Sequence, residues 1–184
     1  MTTPSHDPQG VTALPAPAGT PVVVEIVLLR TEKETGCDPL LAYRHRTAAL
    51  CPPDTPHAAA RRLAEVPDSA TEVIVHSTSW RYQPDGRLVL TYLIYPDPEP
   101  AAEATPLTTP RIAHGADPSH PDPPVVLPDH VATHAARHLA WLAHTDPVIA
   151  HAVGADPDLW QALRALVPAP AGALHLPDLA AVPV

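Results

Sequence analysis

The sequence contains no Phe and no Asn, and it has one Lys and two Cys among its 184 residues. Without Phe, a core has to be built from aliphatic residues together with three Trp and four Tyr, so each of these aromatic positions is informative. The rarity of Lys beside abundant Ala, Arg and Pro indicates a GC-rich bacterial genome. Because Cys37 and Cys51 form no CxxC pair, we expect reduced thiols and a cytoplasmic protein.

The sequence also lacks a cluster of positive charge and a long apolar run. The formal net charge is -9 and the Arg residues are scattered, which argues against binding to a phosphate backbone. The longest apolar stretch, 21–29, is interrupted by Glu25 and is shorter than the roughly 20 residues that a bilayer requires. The first ten residues do not resemble a signal peptide. We therefore expect neither a nucleic-acid partner nor a membrane.

Composition and periodicity divide the chain into five segments. The Pro-rich and Gly-rich start has no apolar period and predicts a disordered tail, and a second Pro-rich stretch separates two patterned regions. The predicted segments are a disordered tail at 1–20, an α/β core at 21–97, a linker or wrapping segment at 98–128, a helical region at 129–167, and a Pro-rich tail at 168–184.

The core region predicts four strands and one helix. The β-branched run at 22–29 indicates a strand covered on both faces, and the alternation at 40–46 indicates its hairpin partner. Residues 72–95 predict a long antiparallel hairpin around the turn at 83–86. Between the hairpins, Thr55 or Asp54 is expected to cap a short helix that ends at Pro67.

The C-terminal region predicts two or three amphipathic helices, the first capped by Asp129 and the others opened by Asp-Pro pairs. The expected fold class is α+β, with a mixed or antiparallel sheet of about four to six strands and one short helix against it. The C-terminal helices are expected to pack on the sheet or to present a partner surface, with Trp141 and Trp160 as anchors.

The order of strands around the short helix resembles the Nudix hydrolase fold over residues 22–97. In the family's signature helix, Arg61, Leu63 and Glu65 match the arginine, the aliphatic residue and one glutamate. The other signature glutamates and glycines are replaced by Pro53, Arg62, Val66, Thr47 and Asp68. Since a hard divalent cation needs several oxygen ligands, the resemblance implies a fold that has lost magnesium-dependent diphosphate cleavage. An ordinary amphipathic helix explains the same residues equally well.

Three imidazoles recur at intervals of four on one predicted helix, at His130, His134 and His138. Such a face predicts, as an alternative, a metal-dependent enzyme or sensor. The three ligands span about 12 Å along the helix, so a solvated histidine face is the simpler interpretation. We expect no cofactor.

The segment HSTSWRY at 76–82 is the third candidate. Strand alternation places His76, Thr78, Trp80 and Tyr82 on one face. Trp80 and Tyr82 are candidates to stack a flat small molecule or nucleotide, with Arg44 or Arg46 supplying charge, and Glu65 completes the candidate ligand-binding set. The absence of Phe nevertheless favours a core position for both aromatic side chains.

Three functions remain open from the sequence. The leading prediction is a non-catalytic Nudix-like module that binds a protein partner or forms a homodimer, or that binds a small molecule or nucleotide. The others are the metal-dependent enzyme or sensor, and an accessory subunit that docks through its C-terminal helices. Phosphate loops and common esterase or zinc protease motifs are absent from the sequence.

Overall fold

The structure, a computed structural model, describes residues 19–117 and 119–170. The predicted tail at 1–20 and the predicted tail at 168–184 lie almost entirely outside the described residues. The described part has α+β architecture, as the sequence predicts.

A mixed sheet of five strands forms the centre of the molecule, in the order β3-β4-β1-β2-β5. β1 pairs with β2 in antiparallel and with β4 in parallel orientation, and β3 and β4 form the predicted antiparallel hairpin. The strands are β1 (Val22–Glu32), β2 (Leu40–Ala49), β3 (Ile74–Tyr82), β4 (Leu88–Tyr95) and β5 (Thr105–Pro106).

β1 lies in the middle of the sheet, which explains its nearly continuous apolar sequence. Val24, Ile26 and Leu28 are fully buried on one face, and Val27 and Leu29 are fully buried on the other. A strand that is covered on both faces cannot alternate between polar and apolar residues. The prediction of a central strand is confirmed.

Helix α1 (Pro56–Leu63) covers one face of the sheet, with Thr55 as its N-cap. Ala59 and Ala60 pack against the β1 residues of that face, and their small side chains allow a close approach. The prediction of a helix that continues to Pro67 is wrong. The helix ends at Leu63, and Glu65 has a positive φ of 59°, a backbone conformation that cannot continue a helix.

Three helices cover the opposite face: α2 (Pro128–Thr145), α3 (Pro147–Gly154) and α4 (Pro157–Arg164). Asp146 and Asp156 cap α3 and α4, as their Asp-Pro pairs predict. The prediction that Asp129 caps α2 is wrong. Leu127 occupies the N-cap position, while Asp129 lies in the first turn and accepts a short hydrogen bond from the Tyr43 hydroxyl.

The apolar sides of α2 and α4 pack on the sheet, so the described part of the chain has three layers. Leu139 and Leu159 belong to the same core cluster as Val27, Leu29 and Leu93. None of the helices in the described residues is long and apolar enough to cross a bilayer.

The Pro-rich connection wraps around the sheet rather than leaving it. Its residues 105–106 pair with β2. Arg30 donates hydrogen bonds to the carbonyl oxygens of Pro100 (3.1 Å) and Ala102 (2.6 Å). A Pro-rich segment provides few N–H donors, so side-chain donors of this kind satisfy its carbonyl groups.

We predict that Leu139→Ala destabilises the fold by about 2–5 kcal/mol, because it leaves a cavity between α2 and the sheet. Leu139 is 0% exposed, whereas Val148 on α3 is 74% exposed. Urea unfolding of both variants measures the difference, and Val148→Ala is expected to change stability by less than about 0.5 kcal/mol. Equal effects of the two substitutions would contradict the packing of α2 on the sheet.

Candidate binding site at the outer edge of the sheet

A β-bulge at Thr78 determines which way the side chains of β3 point. Ser77 pairs with Tyr92 and Ser79 pairs with Thr91, so Thr78 is an extra residue that is not paired with any residue in the register of β4. The alternation of side chains between the two faces of the sheet therefore shifts by one residue at this position. The predicted common face for His76, Thr78, Trp80 and Tyr82 is wrong for this reason.

The bulge sends His76 and the two aromatic residues to opposite faces. His76 pairs with Leu93 of the core under α2, whereas Trp80 pairs with Leu90 on the face of α1. The prediction that Trp80 and Tyr82 are core residues is also wrong, since they are 68% and 61% exposed. The short helix α1 contacts the start of β3, where Val75 packs, and the aromatic pair lies at the other end.

A groove of about 320 Å³ lies beside this exposed end of β3. One wall is the strand end at 79–82, and the other combines the segment at 112–126 with His130 and His134 of α2. Neighbouring cavities of about 680 Å³ and 260 Å³ adjoin it. Arg81 and Val126 line all three cavities, so the Arg81 side chain is at the centre of the region.

Arg81 is held in place by a buried carboxylate on β1. Its Nη1 and Nη2 atoms donate to the two oxygens of Glu25, at 2.6 and 2.7 Å. His45 Nε2 lies 2.8 Å from Glu25 Oε1, and the Thr91 hydroxyl donates to Oε2 at 2.7 Å. Four strands therefore contribute to one network around a residue that is 3% exposed.

Burial by itself raises the pKa of Glu25, because a charged carboxylate loses its hydration. The hydrogen bonds from Arg81 and His45 and the charge of Arg81 outweigh burial, and they lower the pKa of Glu25 to about 2. Glu25 is thus ionised at neutral pH and accepts hydrogen bonds only. The arrangement suits a fixed anchor for Arg81 rather than a base.

A separate network lies at β2, on the face of the sheet that α1 covers and away from β3. It includes Arg44, Arg46 and Glu65. Arg44 binds the buried carboxylate of Asp97 through two hydrogen bonds, one of them 2.7 Å long. Both arginines bind Glu99, and Arg46 also lies 3.3 Å from Glu65. β4 and β1 separate these arginines from Trp80, so the structure does not bring the predicted ligand-binding residues into one site.

The three candidate metal ligands of α2, His130, His134 and His138, have different partners. His130 Nδ1 accepts from the backbone N–H of Leu127 at 3.2 Å, and His134 Nε2 donates to the Thr78 carbonyl at 3.4 Å. His138 Nδ1 donates to the Pro170 carbonyl at 2.8 Å, and its Nε2 lies 3.3 Å from Nε2 of His76. Among the described residues, no group of three or more His, Cys, Asp or Glu side chains is placed to hold a metal ion.

Burial lowers the pKa of three of these histidines: His76, His134 and His138. For His76, the neighbouring His138 lowers the pKa further. At neutral pH these rings are therefore neutral and serve to connect β3 with α2.

Glu25, His45, Arg81 and Gln83 are not among the site residues that the sequence predicts. The signal for Glu25 was present in the sequence, since it is the one charged residue within the apolar run of a central strand. A buried charge requires a partner, so at least one cation on a neighbouring strand was to be expected. Which Arg or His supplies it depends on strand order and register.

Comparison with protein family models, curated proteins and solved structures finds no match to this chain.

We predict that Glu25→Gln lowers the stability at pH 7 by about 3 kcal/mol, because the pKa shift of Glu25 from 4.5 to about 2 corresponds to this free energy. A lowered carboxyl pKa stabilises the fold above the unfolded-state value of 4.5. The difference between the native chain and the variant is therefore expected to shrink as the pH falls from 4.5 towards 2. Urea unfolding across this pH range measures it.

The exposed Glu103 provides the matched control. Glu103→Gln is expected to leave the stability within about 0.5 kcal/mol at each pH. A Glu25→Gln variant that is as stable as the native chain at pH 7 would show that the Glu25–Arg81 pair does not hold the strands together.

Proposed function

We propose that this chain is a non-catalytic protein-interaction module that binds an extended, apolar or Pro-rich polypeptide segment at the exposed end of β3. The observation that carries the proposal is the exposure of Trp80 and Tyr82. A chain without Phe has few large aromatic side chains, and two of them lie side by side in solvent at the mouth of a groove.

An exposed Trp and Tyr pair is the kind of surface from which protein interfaces gain most of their affinity. Both side chains bury a large area on contact and have few rotatable bonds, so ordering them costs little entropy. Two apolar residues that precede α2 are also exposed: Val125 at 61% and Leu127 at 50%. They add exposed apolar surface on either side of Val126, which lines the groove.

The position of β3 favours an extended partner. β3 is the outermost strand on its side of the sheet, so no other strand in the described part of the chain pairs with its outer edge. The groove beside it is bordered by residues 79–82, which include Trp80 and Tyr82, and by Pro121 and Pro123. Surfaces that combine exposed aromatic side chains with a groove suit extended Pro-rich segments, which lose little entropy on binding.

A non-catalytic role agrees with the surroundings of Glu65. This residue is the only glutamate of the Nudix-like pattern that remains, and its side chain is 67% exposed beside Arg46. One carboxylate that is paired with an arginine is a poor ligand for a divalent cation. A Nudix-like origin of the fold stays a prediction.

Docking through the C-terminal helices is a weaker alternative, because the helices use their apolar sides on their own sheet. Trp160 packs partly against that core, with its ring 5.6 Å from the His144 ring. Trp141 is half-buried and lies 5.6 Å from the His138 ring. Neither indole is as exposed as that of Trp80, so the edge of β3 is the better candidate for a partner surface.

We predict that peptides selected from a displayed library of random linear sequences bind the native chain through Trp80 and Tyr82. Trp80→Ala and Tyr82→Ala are each expected to weaken these peptides by at least about 2 kcal/mol, or roughly 30-fold, as truncation of a central interface residue does. Fluorescence anisotropy of labelled peptides measures the dissociation constants.

Val148→Ala is the matched control, because Val148 is as exposed as Trp80 but lies on α3. It is expected to leave peptide binding unchanged. Peptides that bind both aromatic variants like the native chain would refute the proposal. A self-association that Trp80→Ala abolishes, with no peptide enriched, would assign the surface to a second copy of the chain.

A further inference from the structure

Two imidazole rings meet where α2 lies against β3. His138 of α2 is 7% exposed, and its Nε2 atom lies 3.3 Å from Nε2 of His76 on β3. The two ring centroids are 5.2 Å apart. No third His, Cys, Asp or Glu among the described residues joins the pair in a group that could hold a metal ion. The two nitrogen atoms are within hydrogen-bonding distance, so one of them donates and the other accepts.

The carbonyl group of Pro170 determines which nitrogen of His138 carries the hydrogen. His138 Nδ1 lies 2.8 Å from this carbonyl oxygen, which can only accept, so Nδ1 is the donor. Burial lowers the pKa of His138, although the hydrogen bond to Pro170 opposes it, and the ring is neutral at pH 7. In a neutral ring with a hydrogen on Nδ1, Nε2 has only a lone pair. His76 Nε2 is therefore the donor to His138 Nε2.

These two hydrogen bonds form a chain from the sheet to the segment that follows α4. His76 donates to His138, and His138 donates to Pro170. One turn earlier on α2, His134 Nε2 donates to the carbonyl oxygen of Thr78 at 3.4 Å. Histidine side chains on two successive turns of α2 thus connect the helix to β3.

Protonation affects these two connections differently. A first proton on the pair can occupy Nδ1 of His76, because Nε2 of this ring still donates. A second proton has to occupy Nε2 of His138, which is the acceptor of the bond. Two N–H groups then face each other, the hydrogen bond is lost, and two positive charges repel each other in a partly buried place. His134, in contrast, still donates to the Thr78 carbonyl when it is protonated.

The charged groups around the rings do not compensate for burial. For His76, burial is the largest cause of the lowered pKa, and His138 lowers the pKa further. Asp146, at the start of α3, acts in the opposite direction on His76 but does not reverse the shift. Burial also lowers the pKa of His134, and the charges of His138 and Arg137 add to this effect. The surroundings therefore favour neutral rings.

We propose that His76 and His138 form an acid-sensitive contact, which holds α2 and the chain at Pro170 against β3 near neutral pH and weakens when both rings are protonated. The apolar core beneath α2, which includes Leu139, does not depend on this contact. Acid therefore weakens the attachment of the helix without removing its apolar packing. The inference does not rest on peptide binding at the exposed end of β3.

The lowered pKa values fix the direction of the pH dependence. Both histidines have a pKa below the unfolded-state value of 6.5 in the folded chain. Their contribution to stability is therefore fully present above pH 6.5 and is lost as the pH falls below it.

His138→Gln tests the contact, because an amide also offers a donor for Pro170 and an acceptor for His76 but takes up no proton in this pH range. Urea unfolding at pH 7.5 and pH 5.5 gives the unfolding equilibrium constant. A histidine that stays neutral in the folded chain raises this constant by up to about tenfold for each pH unit below 6.5. We expect the rise in the native chain to exceed that in His138→Gln by a factor of about three to ten. Equal rises would overturn the proposal.

His151→Gln is the matched control, because His151 is exposed on α3. We expect its unfolding constant to rise between pH 7.5 and pH 5.5 as much as that of the native chain. A rise as small as that of His138→Gln would show that the effect does not come from the buried pair, and it would also overturn the proposal.

Nuclear magnetic resonance of the ring nitrogens tests the same contact in the native chain, without depending on the folding of a variant. At pH 7.5 we expect the hydrogen of His138 on Nδ1 and that of His76 on Nε2, and we expect both rings to take up protons only below pH 6.5. A hydrogen on Nε2 of His138 at pH 7.5, or protonation of His138 at or above pH 6.5, would overturn the proposal.

Discussion

The ion pair between Glu25 and Arg81 is the interaction on which the rest of the site depends. A carboxylate in the central strand loses its hydration, and this loss alone would favour the neutral acid. Arg81 from β3, His45 from β2 and Thr91 from β4 compensate for it, so one buried charge connects four strands. Because Arg81 also lines all three cavities, the pair fixes one side chain that these cavities share.

The bulge at Thr78 is the second constraint on the site, because it divides β3 into a part that contacts α2 and a part that exposes the aromatic side chains. Before the bulge, His76 faces α2 and contacts His138, which connects the sheet to the helical layer. After the bulge, Trp80 and Tyr82 face the side of α1 beyond the reach of that helix. A change of phase at an edge strand is a common way to re-aim side chains near a functional surface.

Three further arginines, Arg30, Arg44 and Arg46, hold the fold together at a distance from the exposed end of β3. Arg44 and Arg46 bind Asp97 and Glu99, and Arg30 binds carbonyl groups a few residues further along. Together they hold the Pro-rich connection against the sheet, where it supplies one wall of the groove. A segment with many prolines cannot form a regular ladder of backbone hydrogen bonds, so hydrogen bonds from charged side chains hold it in place instead.

Local patterns determined the elements of this fold. The run at 22–29 gave a central strand because burial on both faces demands apolar residues throughout, and Asp146 and Asp156 marked helix starts through local capping. Three features were decided only by the tertiary structure. The bulge turned Trp80 outwards, and the strand order separated Arg44 from Trp80. The packing of α2 on the sheet set the hydrogen-bond partners of His130, His134 and His138. These outcomes depend on contacts between residues far apart in the chain, and a local sequence pattern does not specify such contacts.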